Sequence, residues 1–138
     1  MRLKKHIRVI VVDDSPLALT AICSFLKTQS EIELVGTAND GFELLEMAEK
    51  LKPDLVITDL HMPRMSGLEC TLLLHNILPA TRVIVFTELD SPLAGLVCLE
   101  AGADGCVLKD HMSEKLFVAI QRLFPWLAEA PRSWRNTA

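Results

Sequence analysis

The chain has 138 residues, half of them hydrophobic and 23% charged, with a formal net charge of −4. That length suits one domain built around a single sizeable core, and the acidic balance argues against a nucleic-acid surface, which needs clustered Lys and Arg. No apolar run approaches the ~20 residues of a membrane span, so neither membrane nor nucleic acid is an expected partner.

In chain order, short strand-like runs alternate with longer helix-period windows, five times over. Arg2, Lys4, Lys5 and Arg8 lead into a short run, Ile7–Val12, that ends at Asp13, which reads as a strand and not a signal peptide. Ser15-Pro16 then offers a capping hydroxyl and a proline at the first helical position, followed by a stripe of Ala18, Ile22 and Phe25 or Leu26. A second strand is expected at 32–37, and Asp40 opens a helix with Leu44, Leu45, Ala48 and Leu51 inward. A third strand at 54–58 runs into Asp59, and Ser66 precedes the third helix. After a fourth strand at 82–87, Ser91-Pro92 repeats the first helix's signature, and Gly102 stands where that helix should stop. A fifth strand at 105–108 precedes a helix started by Ser113, with Glu114 beside it. That helix is apolar nearly all round (Leu116, Phe117, Val118, Ala119, Ile120, Leu123, Phe124), which reads either as tight packing on the sheet or as a partner surface. Residues 125–138 have no periodicity and read as a tail or truncated linker after a domain over 1–124.

Strand, helix, strand with short turns means right-handed βαβ units and a doubly wound α/β sheet. The four cysteines, Cys23, Cys70, Cys98 and Cys106, lie in apolar segments without zinc spacing or a C-x-x-C pair. They are expected as reduced core thiols of a cytoplasmic protein.

In such a sheet the ligand crevice lies at the carboxyl ends of the strands. There the chain places Asp13 and Asp14 (strand one), Asp59 (strand three), Thr87 (strand four) and Lys109 (strand five). Singly, each has a plain structural reading: Asp13 as a helix cap, Thr87 as a β-branched strand residue, Lys109 as a solvated strand end. Jointly they call for more. Three neighbouring carboxylates repel one another unless a cation sits among them, and an oxygen-only donor set suits Mg²⁺. Metal, ammonium and hydroxyl around one carboxylate form a receptor for a phosphoryl group, with Asp59 as the nucleophile that becomes an aspartyl-phosphate.

The segments "VVDDSP", "VITDLHMPRMSG", "VIVFT" and "GCVLKD", in that order and spacing, resemble the receiver domain of two-component response regulators, over residues 7 to about 124. The resemblance implies a flavodoxin-like (βα)5 fold, with five parallel strands in the order 2-1-3-4-5. It implies a signalling phosphoacceptor, not an enzyme in the ordinary sense, with Asp59 phosphorylated by a histidine kinase or phosphotransfer protein. Asp14 and Asp59 would ligate Mg²⁺ (or Mn²⁺) directly with the backbone carbonyl of His61, and Asp13 through water. Lys109 would pair with the phosphoryl oxygens, and Thr87 would swing toward them. Output would pass through the fourth helix, fifth strand and fifth helix to a protein target or a second copy. "EAGADG" and "LKD" look most like receivers that precede a helix-turn-helix domain.

Several positions depart from the family pattern. Cys106 replaces the usual aromatic three residues before the lysine, and is read as a small buried hydrophobe in preference to a redox thiol. Glu88 follows Thr87 where a small residue is usual, and should hinder incoming anions. Asp110 replaces a common proline after Lys109. Leu89, with His61, flanks the hydrolytic water in this family, and an apolar Leu89 implies a long-lived phosphoryl group. Two rival readings are a degenerate receiver used as a constitutive binding module and a haloacid-dehalogenase-like phosphatase. The second would want an acid where His61 stands. A flavin-binding relative of the same strand order is weaker, since no phosphate-cradling loop follows strand one.

Overall fold

Alternation of strand and helix is unbroken along the chain: β1 (Ile7–Val12), α1 (Pro16–Lys27), β2 (Ile32–Ala38), α2 (Gly41–Leu51), β3 (Leu55–Asp59), α3 (Gly67–Ile77), β4 (Arg82–Thr87), α4 (Pro92–Glu100), β5 (Gly105–Leu108) and α5 (Met112–Leu123). Short 3₁₀ turns lie at Lys109–His111 and Pro125–Glu129. The computed structural model describes residues 6–88 and 91–129, so Leu89 and residues 130–138 lie outside the described residues.

All strand pairs are parallel, in the order β2-β1-β3-β4-β5, as the resemblance implied. The order reverses between β1 and β3, which opens a crevice at their carboxyl ends. Strand periodicity divides the core in two. Val9, Val11, Leu55, Ile57, Ile84, Phe86 and Val107 face α1 and α5. Their neighbours Ile10, Val12, Val56, Val83 and Val85 face α2, α3 and α4, joined by the half-buried Cys106. The continuous apolar runs of β1, β3 and β4 are therefore buried on both sides, as parallel sheets require. Between Val9 and Ile10 the register to β2 skips Val35.

Ser15, Asp40, Ser66 and Ser91 all cap their helices, each side chain accepting a backbone N–H of the first turn. Ser66 and Glu69 form a reciprocal capping box. Gly102 stops α4 in the left-handed region (φ 98°).

Some boundaries differ from expectation. β2 extends one residue, to Ala38. β3 runs Leu55–Asp59 and not 54–58, because Asp54 turns its carboxylate to the Arg8 amide (2.9 Å) before the strand begins. Ser113 does not cap α5. The helix starts at Met112 after the Lys109–His111 turn, and His111 at the cap position makes no side-chain hydrogen bond to it. The packed chain also runs past 124: the Pro125–Glu129 turn carries Leu127, fully buried in the α1–α5 core.

On α5 the exposed large apolar residue is Val118. That helix buries Leu116 and Ile120 and turns Lys115 and Arg122 outward. On α4, by contrast, Leu93, Leu96, Val97 and Leu99 are all exposed, and Cys98 is its only buried residue.

Candidate functional site

β1 delivers Asp13 to the crevice, and the next residues fix it there. The Asp13 amide donates to the Ala38 carbonyl (3.2 Å), and the Ser15 amide donates to Asp13 Oδ1 (2.9 Å). This two-residue side-chain-to-backbone bond is an Asx turn. It leaves Oδ2 for the ammonium of Lys109, 2.9 Å away. The same Nζ lies 3.3 Å from Asp59 Oδ1 and 3.9 Å from Glu88 Oε1. Burial is graded across the cluster: side-chain exposure is 0% at Asp13, 10% at Asp59, 16% at Lys109 and 79% at Glu88. Lys109 thus spans the cluster from its buried floor to its rim.

Asp59 ends β3, and the loop behind it is held by its backbone. The Leu60 amide donates to the Phe86 carbonyl (2.8 Å) and the Gly67 amide to the Leu60 carbonyl (2.8 Å). A Cβ at Gly67 would overlap the Asp59 carbonyl oxygen, so the loop can close only with glycine there. Arg64, in the left-handed region (φ 67°), clips the loop to α2 by a 2.6 Å bond to Asp40 and by covering the Phe42 ring.

The electrostatics follow from this crowding. Burial pushes the Asp59 carboxyl above its usual range; Asp13 adds to the rise, and Lys109 partly offsets it. Burial alone would lower the Lys109 ammonium, but its hydrogen bond to Asp13 and the charges of Asp59 and Asp13 outweigh that and raise it. Exposed Asp14 completes the acid group: one oxygen each of Asp13, Asp14 and Asp59 lies within 4.8 Å of the others. Three carboxylates share one ammonium, which leaves uncompensated negative charge. An oxygen-only, compact and partly open set of this kind fits a hard divalent cation.

The structure therefore brings together Asp13, Asp14, Asp59 and Lys109, four of the residues singled out in the sequence. Thr87, buried at the end of β4, borders an adjoining 310 Å³ groove under α4, with Ser91, Gly95 and Cys106. His61 is exposed and lines a groove between α3 and α4 with Leu93 and Val97. Sequence reasoning missed the Ser15 amide as a holder of Asp13, although an Asp two residues before a Ser-Pro helix start is an Asx-turn signal. It also missed that Lys109 pairs with Glu88, a contact that only the fold creates.

Comparison with known proteins agrees with this geometry. The profile of the response regulator receiver domain matches residues 9–121. The transcriptional regulatory protein YxjL of Bacillus subtilis (strain 168) is 34% identical over 118 residues, which is 86% of this chain and 54% of that protein. The chain spans about half the length of the curated relatives it matches. Among solved structures, the receiver domain of the response regulator NarL from Mycobacterium tuberculosis superposes with a TM-score of 0.81 at 29% identity, covering 86% of this chain and 96% of that one. The isolated receiver of RcsB from Salmonella enterica serovar Typhimurium, solved with phosphomimetic BeF₃⁻, gives 0.76 at 28% identity, covering 85% and 89%. With the acid cluster, the strand order and these matches over most of its length, the chain belongs to the receiver domains of two-component response regulators, a family of signalling domains.

Proposed function

We propose that this receiver accepts a phosphoryl group on Asp59 from a histidine kinase or phosphotransfer protein. The observation that carries the reading is Lys109, whose ammonium bridges Asp13 (2.9 Å) and Asp59 (3.3 Å) at the mouth of the sheet. An Asp59 carboxylate oxygen attacks the phosphorus; the new O–P bond forms as the donor's P–N bond breaks, and the histidine departs neutral once protonated. Lys109 stabilises the charge on the transferring oxygens, and the Thr87 hydroxyl donates to one of them once the group is in place. Asp13 is held by Lys109 and the Ser15 amide and keeps the ammonium oriented.

Asp14 and Asp59, with the His61 backbone carbonyl, are the residues that would hold Mg²⁺ or Mn²⁺ directly, and Asp13 would do so through water. Bound there, the ion supplies the positive charge that the acids and the phosphoryl oxygens lack. The chain acts on itself and not on a separate substrate. Its output passes through α4, β5 and α5 to a protein target or a second copy, without contact of this chain to nucleic acid. Among the described residues no helix is long and apolar enough to cross a membrane, and we place the domain in the cytoplasm.

Incubation with acetyl phosphate and Mg²⁺, followed by intact-mass measurement, tests the reading. One phosphoryl adduct is expected on wild type and none on Asp59→Asn. Equal adducts on both, or none on either, would reject Asp59 as the acceptor.

A further inference from the structure

Two thiols that the phosphoryl chemistry does not use face each other across the α4–β5 boundary. Cys98 Sγ lies 3.7 Å from Cys106 Sγ, and both thiols are free. Their approach is built into the fold. Strand alternation sends Val107 to the α1–α5 core and Cys106 to the opposite one, where Cys98 is fully buried. Cys98 is also the only buried residue of α4, so this sulfur is the helix's anchor on the sheet. Cys106 is only half-buried. It borders the 310 Å³ groove that holds Thr87 and, on its other side, a 340 Å³ groove lined by Lys115 and Arg122 of α5. A small oxidant therefore has a route to Cys106 and none to Cys98.

We propose that Cys98 and Cys106 are a modification site, a dithiol that a peroxide converts to an intramolecular disulfide tethering α4 to β5. Cys106 Sγ attacks one peroxide oxygen; the O–O bond breaks, Cys106 becomes a sulfenic acid, and the thiol proton leaves with hydroxide as water. Cys98 Sγ then attacks Cys106 Sγ; the S–O bond breaks, the S–S bond forms, and a second water carries off the Cys98 proton. Two thiols lose two hydrogens and one peroxide is reduced to two waters. A dithiol reductant reverses the bond by exchange. Burial, and then the neighbouring Cys106, push the Cys98 thiol up to about 12, so Cys98 attacks only because its sulfur already lies 3.7 Å from Cys106 Sγ, giving up its proton as the hydroxide leaves. The sulfurs must close by roughly 1.6 Å to reach the ~2.05 Å of a disulfide. Little packing opposes that movement, because Cys98 is the only residue that α4 buries.

Cys106, one end of the tether, lines the groove that Thr87 borders. Resting on the proposed phosphorylation of Asp59, the inference extends to regulation: the oxidised protein holds α4 on the sheet and is phosphorylated more slowly.

The full chain is treated with hydrogen peroxide, denatured, alkylated and mapped by peptide mass. The expected product links the Cys98 and Cys106 peptides and leaves Cys23 and Cys70 alkylated. Cys106→Ser should form no such link while keeping the wild-type circular dichroism. In Cys98→Ala, Cys106 should be trapped as a dimedone adduct. Oxidation of Cys106 to the sulfinic acid with Cys98 still alkylated, or a link to Cys23 or Cys70, would overturn the site. Phosphorylation by acetyl phosphate is then compared in reduced, oxidised and re-reduced wild type. A rate on the order of tenfold lower in the oxidised form, restored by dithiothreitol, is expected. Equal rates would overturn the regulatory half alone. Absence of any adduct on reduced wild type would instead count against the receiver reading, with the disulfide judged by the peptide map.

Discussion

Asp59 is held where its charge is both useful and unwelcome. The carboxylate is mostly buried, it faces Asp13, and a single lysine serves both. Its pKa is raised in the folded protein, so between the ordinary carboxylate range and that raised value the folded state binds more protons than the unfolded one. Stability then falls as pH climbs through this window, and at neutral pH the ionised Asp59 is a net cost. Asp59→Asn should raise the melting temperature by a few degrees at neutral pH without metal, and the gain should vanish as the pH drops below the carboxylate range. A pH series of thermal melts checks this; a gain that persists in acid would mean that repulsion is not the cause. Glu88 works on the same cluster from outside. Its carboxylate is 3.9 Å from Lys109 yet 79% exposed, so it spends part of the lysine's field and faces any incoming anion. Glu88→Ala should speed phosphorylation by acetyl phosphate a few-fold, and the difference should shrink in high salt because exposed charges are screened. An unchanged rate removes Glu88 from the pocket's electrostatics.

At the level of elements, what could be read from the sequence was what local chemistry decides. Ser15, Asp40, Ser66 and Ser91 announced their helices because a capping side chain satisfies amides only two or three residues away. Asp13, Asp59 and Lys109 were legible as site residues because apolar strand runs end on them and the topology gathers strand ends. The start of α5 was misplaced at Ser113 because the chain reaches the helix through a 3₁₀ turn and His111 makes no side-chain cap bond. Apolar composition likewise left α5 open to two readings, tight packing on the sheet or a partner surface; α5 buries Leu116 and Ile120, while α4 exposes Leu93, Leu96 and Leu99. Which face a helix presents depends on its seat on the sheet, and composition does not encode that seat. The Pro125–Glu129 turn was invisible for a related reason: five residues have no period, and Leu127 is buried only because α1 and α5 leave room for it. If that turn belongs to the packed unit, Leu127→Ala should cost about 2–5 kcal/mol in urea unfolding, as other fully buried leucines do. A change near zero would return residues 125–129 to the status of a tail.

Across the whole molecule, stability is unevenly spread. The central strands β1, β3 and β4 are covered on both faces, and α1 and α5 each sink two residues fully into their core. α4 sinks one, Cys98, while its remaining large apolar residues face outward. Elements with few buried contacts open at lower free energy than the global transition. Amide hydrogen exchange should therefore find α4 opening locally, on the order of 2 kcal/mol or more below global unfolding, while β1 and β3 exchange only through the latter. Gly95 sharpens the test, because a Cβ there would meet nothing within 4 Å. Gly95→Ala changes helix propensity without changing packing, a gain of about 1 kcal/mol. It should slow α4 exchange roughly fivefold and leave β1 and β3 rates in the local regime untouched. If α4 amides in wild type already exchange only with global unfolding, the helix is not the loose element of the fold. The groove that links Thr87 to Cys106 would then be a fixed part of the scaffold and not a place where a signal, phosphoryl or oxidative, can move the surface.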